Sequence, residues 1–200
     1  LMGVPRTERS FKKLAHLMSV VLTDRIQIPH SRVLDIVGMG RYPYTSIIGR
    51  FDQKDRKIVV QALKRVGIED MKHRFFDELS DGEKQKVMIA KALAQDTPVI
   101  ILDEPTAFLD FPSKIEVMQI LLGLAKDTGK SILMSTHDVE LALQVADQIW
   151  LMDKGKELHT GAPEDLVLNN TLNYFFEKNY IYFDKYTGTF LLKTRTGSKI

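Results

Sequence analysis

The stretch PVIILDEP, Pro98 to Pro105, limits the possible folds more than any other. Val99 to Leu102 are four consecutive apolar residues, three of them β-branched, bounded by prolines. Such a run suits a strand of a parallel sheet covered on both faces. Before it lies GEKQKVMIAKALAQD, in which Val87, Ala90, Leu93 and Ala94 fall on one helical face. Ser80 and Glu83 at its start have the spacing of a capping box, hydroxyl to amide and carboxylate back to amide. After it, Pro112 opens a helix with Ile115, Met118, Leu122 and Ala125 inward, SILMST supplies a second buried strand, and Asp138 is placed to cap VELALQVA. Strand, helix, strand, helix is the order of a doubly wound α/β sheet.

Residues 11–22 end in another short apolar run that reads as a buried strand with little beside it to pair with, so further sheet is expected upstream. Between about Ser31 and Glu78 the pattern is mostly helical: IVVQALKRV has helical spacing, and Gly67 follows as a stop. After Gly161, APEDLV starts a final helix, and IYFDKYTGTFLLK reads as a hairpin turning at Thr187-Gly188. There is no internal repeat or low-complexity segment.

A net charge of +2, from 28 basic and 26 acidic side chains, provides no field to draw in nucleic acid. Cysteine is absent, which removes disulfides, thiolate nucleophiles and cysteine metal sites, and fits the cytosol. The apolar runs fall short of the roughly 18 to 20 residues of a membrane span, and charges interrupt each apolar cluster near the start, unlike a signal peptide. Membrane association is therefore expected only through a partner.

One segment imitates a phosphate loop. Gly123 and Gly129-Lys130-Ser131 come within one residue of G-x-x-x-x-G-K-[ST], five residues separating the glycines instead of four. A working loop runs from a strand into a helix, so that its amides and the helix N-terminus both face the phosphates. Here a helix precedes and a strand follows. Gly129 reads instead as a helix C′ residue, with Lys130 as a cation near the carbonyl end.

Asp103 and Glu104 directly follow the apolar strand, at the edge where open α/β sheets gather ligands. Adjacent carboxylates there suit Mg²⁺ positioning by one and orientation of an attacking water by the other. A merely solvated strand end is the alternative. His137 ends the next strand at the same edge, where it could contact a terminal phosphate or pack beneath the Asp138 cap. A two-metal hydrolase built on Asp103, Glu104, His137 and Asp138 lacks further ligands to complete its set.

Taken in order, LSDGEKQKVMIAKALAQDTPVIILDEPTAFLD and STHD resemble the ATP-binding cassette family, the ATPase subunits of ABC transporters, over about residues 11–161. The resemblance implies a P-loop NTPase-type parallel core with a helical insert, to which this chain adds a small C-terminal β-hairpin appendage. Leu79, Ser80, Gly82 and Glu83 correspond to the signature loop, usually LSGGQ, from which Asp81 and Glu83 depart. Asp103 resembles the Walker B magnesium residue, Glu104 the catalytic glutamate, Asp110 the D-loop aspartate and His137 the switch histidine. ATP and Mg²⁺ are the implied cofactors. The implied assembly is a head-to-tail homodimer with two ATPs between the copies, each held by the Walker motifs of one and the signature of the other. The implied partners are transmembrane permease subunits and, indirectly, a substrate-binding protein, and the implied location is the cytoplasmic face of the cell membrane.

The family's Walker A loop is expected upstream of residue 1, which makes the chain look N-terminally truncated and inactive alone. Thr23 stands at the Q-loop position in place of glutamine, with Gln27 nearby but out of register. A threonine reaches less far toward Mg²⁺ and the attacking water. VLDIVGMGRYPYTS, Val33 to Ser46, resembles the helical insert of importers of iron chelates, haem and cobalamin. A permease groove is then expected near residues 24–50 with Met39, Tyr42 or Tyr44, although the tyrosines could equally pack the insert. The expected divisions are 1–23 and 98–161 for the core, 24–97 for the helical insert and 162–200 for the appendage. The chain is expected to be a bacterial importer ATPase. A non-hydrolysing scaffold subunit and a soluble cassette ATPase are the rival readings.

Overall fold

The computed structural model describes residues 11–23, 28–45, 52–155, 157–176 and 180–193, and divides the chain into two compact units, residues 1–136 and 137–200. Gln27 lies outside the described residues.

In the first unit, a short helix α1 (Phe11–Ala15) leads into β1 (Met18–Val21), which pairs in parallel with β2 (Val99–Asp103), itself parallel to β3 (Ser131–Ser135). The register sets Asp103 directly beside Ser135. Val21, Ile100 and Leu102 are buried, whereas Val20, Leu22 and Leu133 are 47%, 54% and 44% exposed. The expectation of a strand covered on both faces is therefore met on one face among the described residues. An all-apolar strand shows that both faces can be buried, not which segments reach them.

The insert is built on α2 (Val33–Gly38), a 3₁₀ segment over Met39–Tyr44, α3 (Gln53–Arg65) and α4 (Asp81–Ala94). The three α-helices pack on one another through Val33, Ile36, Val37, Leu63, Val87, Ile89 and Ala90, all buried. Each of the larger side chains among them contributes on the order of 1.5–3 kcal/mol when fully buried. Within this apolar contact sits an ion pair: Arg41 Nε donates to Asp55 Oδ1 at 2.8 Å, and Arg41 Nη1 donates to the Ala94 carbonyl at 2.9 Å. The Ala94 carbonyl belongs to the last turn of α4, where carbonyls lack helical partners, so the guanidinium satisfies an otherwise costly group.

Gly40 allows this approach. A Cβ added there would lie 2.3 Å from the Lys91 carbonyl oxygen, which is backbone and cannot simply swing aside. Gly40→Ala is expected to destabilise the unit by about 1–3 kcal/mol. Thermal unfolding would show this as a lowered midpoint, and an unchanged midpoint would mean that the insert separates freely from α4.

The helix α5 (Phe111–Thr128) begins with the Asp110 side chain accepting from the Ser113 amide at 3.1 Å and ends at Gly129, whose φ of 64° is the left-handed conformation expected of a C′ residue. Lys130 Nζ donates to Asp96 Oδ1 and to the Thr97 carbonyl, both at 2.9 Å, a structural role that agrees with reading this segment as no phosphate loop. Val117, Met118, Leu121 and Leu124 are the buried stripe of α5, and Ile115, Leu122 and Ala125 are only half-buried. The expected stripe is thus rotated, because α5 is apolar around most of its circumference and periodicity alone could not choose a side. Lys86 on α4 pairs with Glu116 on α5.

The second unit opens at His137. Asp138 accepts from the Leu141 amide at 3.2 Å to cap α6 (Val139–Val145), as its position predicts. An antiparallel pair, β4 (Ile149–Leu151) and β5 (His159–Gly161), is followed by α7 (Pro163–Leu168), α8 (Thr171–Phe176) and the hairpin β6 (Ile181–Asp184) and β7 (Thr189–Leu192). Leu151, Leu166, Leu172, Phe175 and Phe183 share one core. The Asn173 amide clasps Phe183, accepting from its N–H at 2.7 Å and donating to its carbonyl at 3.0 Å, and Glu140 accepts from the Phe190 N–H at 2.9 Å. The predicted hairpin is therefore fastened to α6 and α8. No helix among the described residues is long and apolar enough to cross a membrane.

Candidate functional site

The parallel register delivers Asp103 and Glu104 to the C-terminal edge of the sheet, where the strands end and a loop begins. Asp103 is exposed, yet both its oxygens are held: Ser135 Oγ donates to Oδ1 at 2.6 Å, and Thr23 Oγ1 lies 2.9 Å from Oδ2 and 2.8 Å from the Asp103 carbonyl. These hydrogen bonds, first from Ser135 and then from Thr23, keep the carboxyl below the usual carboxylate range. The group is accordingly ionised at neutral pH, and the favourable contribution of these bonds is lost only as pH falls through the lowered value.

Glu104 follows with φ 45°, the left-handed region that a non-glycine residue occupies only when its surroundings enforce it. The enforcement is visible. Its N–H donates to the Ser135 carbonyl at 3.2 Å and lies 3.0 Å from Ser135 Oγ, and its carbonyl accepts from the Ala107 N–H at 3.0 Å. Ser135 is a residue that sequence reasoning misses. It sits inside STHD, two places before the histidine, and only the strand register shows what it touches.

A second group forms at the start of α4. The Glu83 N–H donates to Ser80 Oγ at 3.3 Å and the Ser80 N–H donates to Glu83 Oε2 at 2.7 Å, completing the expected capping box. The Ser80 amide chiefly, with its hydroxyl and Arg74, lowers the Glu83 pKa against the effect of burial. Glu83 therefore turns back onto its own loop. Leu79 is buried and anchors the loop in the core, while Ser80 is exposed. Gly82 lies against α5, since a Cβ there would meet Ser113 Oγ at 3.1 Å. Because Asp110 caps the same turn through Ser113, the starts of α4 and α5 are neighbours. Hydrogen bonds from the Ser113 hydroxyl and then from its amide keep the Asp110 carboxyl below its ordinary range.

The first unit thus gathers Thr23, Asp103, Glu104 and Ser135 in one hydrogen-bonded group, and Ser80, Gly82, Glu83 and Asp110 around two helix starts. His137 belongs to the second unit, is exposed, and has its carbonyl 3.1 Å from the Val139 N–H. Tyr44 packs in part and is 40% exposed: its ring lies 3.9 Å from the Arg41 guanidinium carbon and meets His16 edge-on, and its hydroxyl is 3.4 Å from the Asp96 carbonyl. Tyr42 is 58% exposed. A cleft of about 400 Å³ in the same unit is lined by Thr23, Ile28, Pro29, Phe76, Lys84 and Phe108 among others, but not by Met39, Tyr42 or Tyr44.

Strand-end carboxylates, a capped loop and a helical insert on a parallel α/β sheet define the class of fold, and the comparisons with known proteins give its family. The ABC transporter family model matches residues 2–107, just over half of the chain. An uncharacterized ABC transporter ATP-binding protein of Methanocaldococcus jannaschii, MJ0873, is 40% identical over 182 residues, 91% of this chain and 63% of that one. The achromobactin transport ATP-binding protein CbrD of Dickeya dadantii is 40% identical over 135 residues, 68% of this chain and 50% of that one. Among solved structures, an inward-facing metal-chelate type ABC transporter superposes with a TM-score of 0.76 at 25% identity, covering 88% of this chain and 70% of that one. The chain belongs to the ABC transporter family and has its ATPase cassette fold. It spans about 50% to 63% of the length of these two relatives.

Proposed function

We propose that this chain is part of the ATPase subunit of an ABC importer, driving uptake of an iron-siderophore, haem or cobalamin type of substrate. The observation that carries the reading is the pairing of a clamped, ionised Asp103 with a conformationally locked Glu104 at one sheet edge. CbrD, named for achromobactin transport, supports the substrate class.

Asp103 fits Mg²⁺ chemically, because it offers hard carboxylate oxygens, each using one lone-pair direction for a hydroxyl and keeping the other. When bound, Mg²⁺ would neutralise charge on the phosphate oxygens of ATP. Glu104 is the group proposed to orient water and accept its proton, and His137 the one proposed to contact the γ-phosphate. Ser80 spends an oxygen lone pair on the α4 cap, which leaves its exposed hydroxyl hydrogen to donate, together with loop amides at Gly82, to a phosphate brought by another copy. On this reading Asp110 steadies the same surface, and Leu79 and Glu83 hold the loop's shape. The proposed assembly is a head-to-tail homodimer on the cytoplasmic face of the membrane, bound to permease subunits that a substrate-binding protein supplies. The surface proposed for the permease lies near residues 24–50 with Met39, Tyr42 or Tyr44, of which Tyr42 and Tyr44 are exposed. The four-part division into core, insert, core and appendage is proposed with it.

Ser80→Arg tests this. In the full-length gene product the variant is expected to bind nucleotide as a monomer but to fail to dimerise with ATP, because the side chain occupies the place kept for the other copy's phosphate. Sedimentation showing normal ATP-driven dimerisation would contradict the trans-acting signature.

A further inference from the structure

Asp103 lies on the middle strand of the three, and its carboxylate is gripped from both flanking segments. Ser135, at the end of β3, reaches Oδ1 at 2.6 Å, and Thr23, two residues beyond β1, reaches Oδ2 at 2.9 Å. We infer that Thr23 and Ser135 are positioning residues for the metal-binding carboxylate, acting on the metal only through Asp103. The inference rests on the reading of Asp103 as the Mg²⁺ ligand.

Both hydroxyls donate to a charged acceptor, and such bonds are about twice as strong as neutral ones. Two of them on opposite oxygens remove the rotation that an aspartate on an exposed strand end would otherwise keep. A cation then meets a carboxylate already oriented, without the entropic cost of fixing it. Thr23 has one hydroxyl proton and two acceptors in range, Oδ2 and the Asp103 carbonyl, and it is the donation to Oδ2 that fixes the carboxylate. Ser135 has a second duty. The same Oγ that donates to Asp103 accepts from the Glu104 N–H at 3.0 Å, so one hydroxyl sets the carboxylate and the backbone of the residue beside it.

The position of Thr23 gives the clamp a consequence. The chain passes from β1 through Thr23 toward the helical insert, so a shift of that segment pulls on Asp103 itself. A glutamine at this position could reach past the carboxylate. Threonine is too short for that and grips the ligand instead.

The test uses the full-length gene product with a non-hydrolysable ATP analogue, and Mn²⁺ binding followed by electron paramagnetic resonance. Thr23→Val keeps the shape and removes the hydroxyl, Thr23→Ser keeps the hydroxyl, and Ser135→Ala removes the other clamp. Thr23→Val and Ser135→Ala are each expected to weaken Mn²⁺ by about 10- to 100-fold, the range for residues supporting a metal ligand, with metal-free analogue affinity unchanged. Thr23→Ser is expected to restore binding. Wild-type Mn²⁺ affinity in Thr23→Val and Ser135→Ala, alongside loss in Asp103→Asn, would overturn the clamp while sparing the metal-site reading. Failure of Thr23→Ser to restore binding would also overturn the clamp, by assigning the effect to packing. Wild-type affinity in Asp103→Asn would instead remove the metal-site reading, and the clamp with it.

Discussion

Glu104→Gln is expected to cut ATP turnover by the full-length gene product by about 10²- to 10⁴-fold, the usual worth of a positioned acid or base, while nucleotide binding survives. Glu104 is held at φ 45° by backbone contacts, its N–H on Ser135 and its carbonyl on Ala107, and none of these involves the carboxylate. Glutamine has the same shape but carries no charge and cannot take a proton from water. The backbone strain, of order 1–3 kcal/mol, is common to both forms, and the surviving nucleotide binding separates lost chemistry from lost folding. Because binding persists without turnover, ATP should also accumulate in a stable dimer of the variant. Phosphate release under single-turnover conditions, measured beside equilibrium nucleotide binding, decides the matter. A rate near wild type would assign the base elsewhere.

The second large effect concerns stability. Arg41→Leu is expected to destabilise the first unit by about 3–5 kcal/mol, the cost of leaving one member of a buried ion pair alone. Arg41 and Asp55 are 5% and 8% exposed, and the same guanidinium closes the carbonyl end of α4 at Ala94. Removing it strands a carboxylate and a carbonyl together. Burial alone would raise the Asp55 pKa, but its bonds from Arg41 and Asp52, with the Arg41 charge, lower it below the ordinary value. The pair's contribution is therefore complete above the usual carboxylate range and fades as pH falls through the depressed value. Urea unfolding at neutral and acidic pH should show the gap between wild type and variant narrowing in acid. A double replacement, Arg41→Leu with Asp55→Leu, should recover much of the loss, since neither charge is then left unpaired. A single-variant loss under about 1 kcal/mol would mean that water reaches the site and screens the pair.

Much of the chemistry is legible in the order of the residues alone. The strand of Val99–Leu102, the α4 and α6 caps, the hairpin after residue 180 and the identity of Asp103 and Glu104 all follow from local rules: alternation or its absence, the reach of a Ser80 or Asp138 side chain to an amide three residues on, and carboxylates placed at a strand end. These are interactions within a few residues of one another, and short-range geometry is written in spacing. The signature, strand-end and switch motifs likewise point to the ABC family, to which the chain belongs.

What spacing cannot decide is which residues meet across long separations. Thr23 reads as a shortened glutamine, yet it reaches Asp103 eighty positions away. Ser135 reads as the end of a strand, yet it holds Asp103 and Glu104 at once. Tyr44 suits packing and docking equally as a residue type, and only the tertiary structure sets its ring against the Arg41 guanidinium. The buried stripe of α5 turns because apolar residues lie around most of its circumference, and packing against α4 and the sheet chooses the side. By itself the sequence determined the elements, their caps and the candidate chemical groups, because those depend on neighbours in the chain. The clamp on the Asp103 carboxylate and the buried Arg41–Asp55 pair were decided only by the tertiary structure, because hydrogen bonds between distant segments exist only once strand register and helix packing have brought their atoms within about 3 Å.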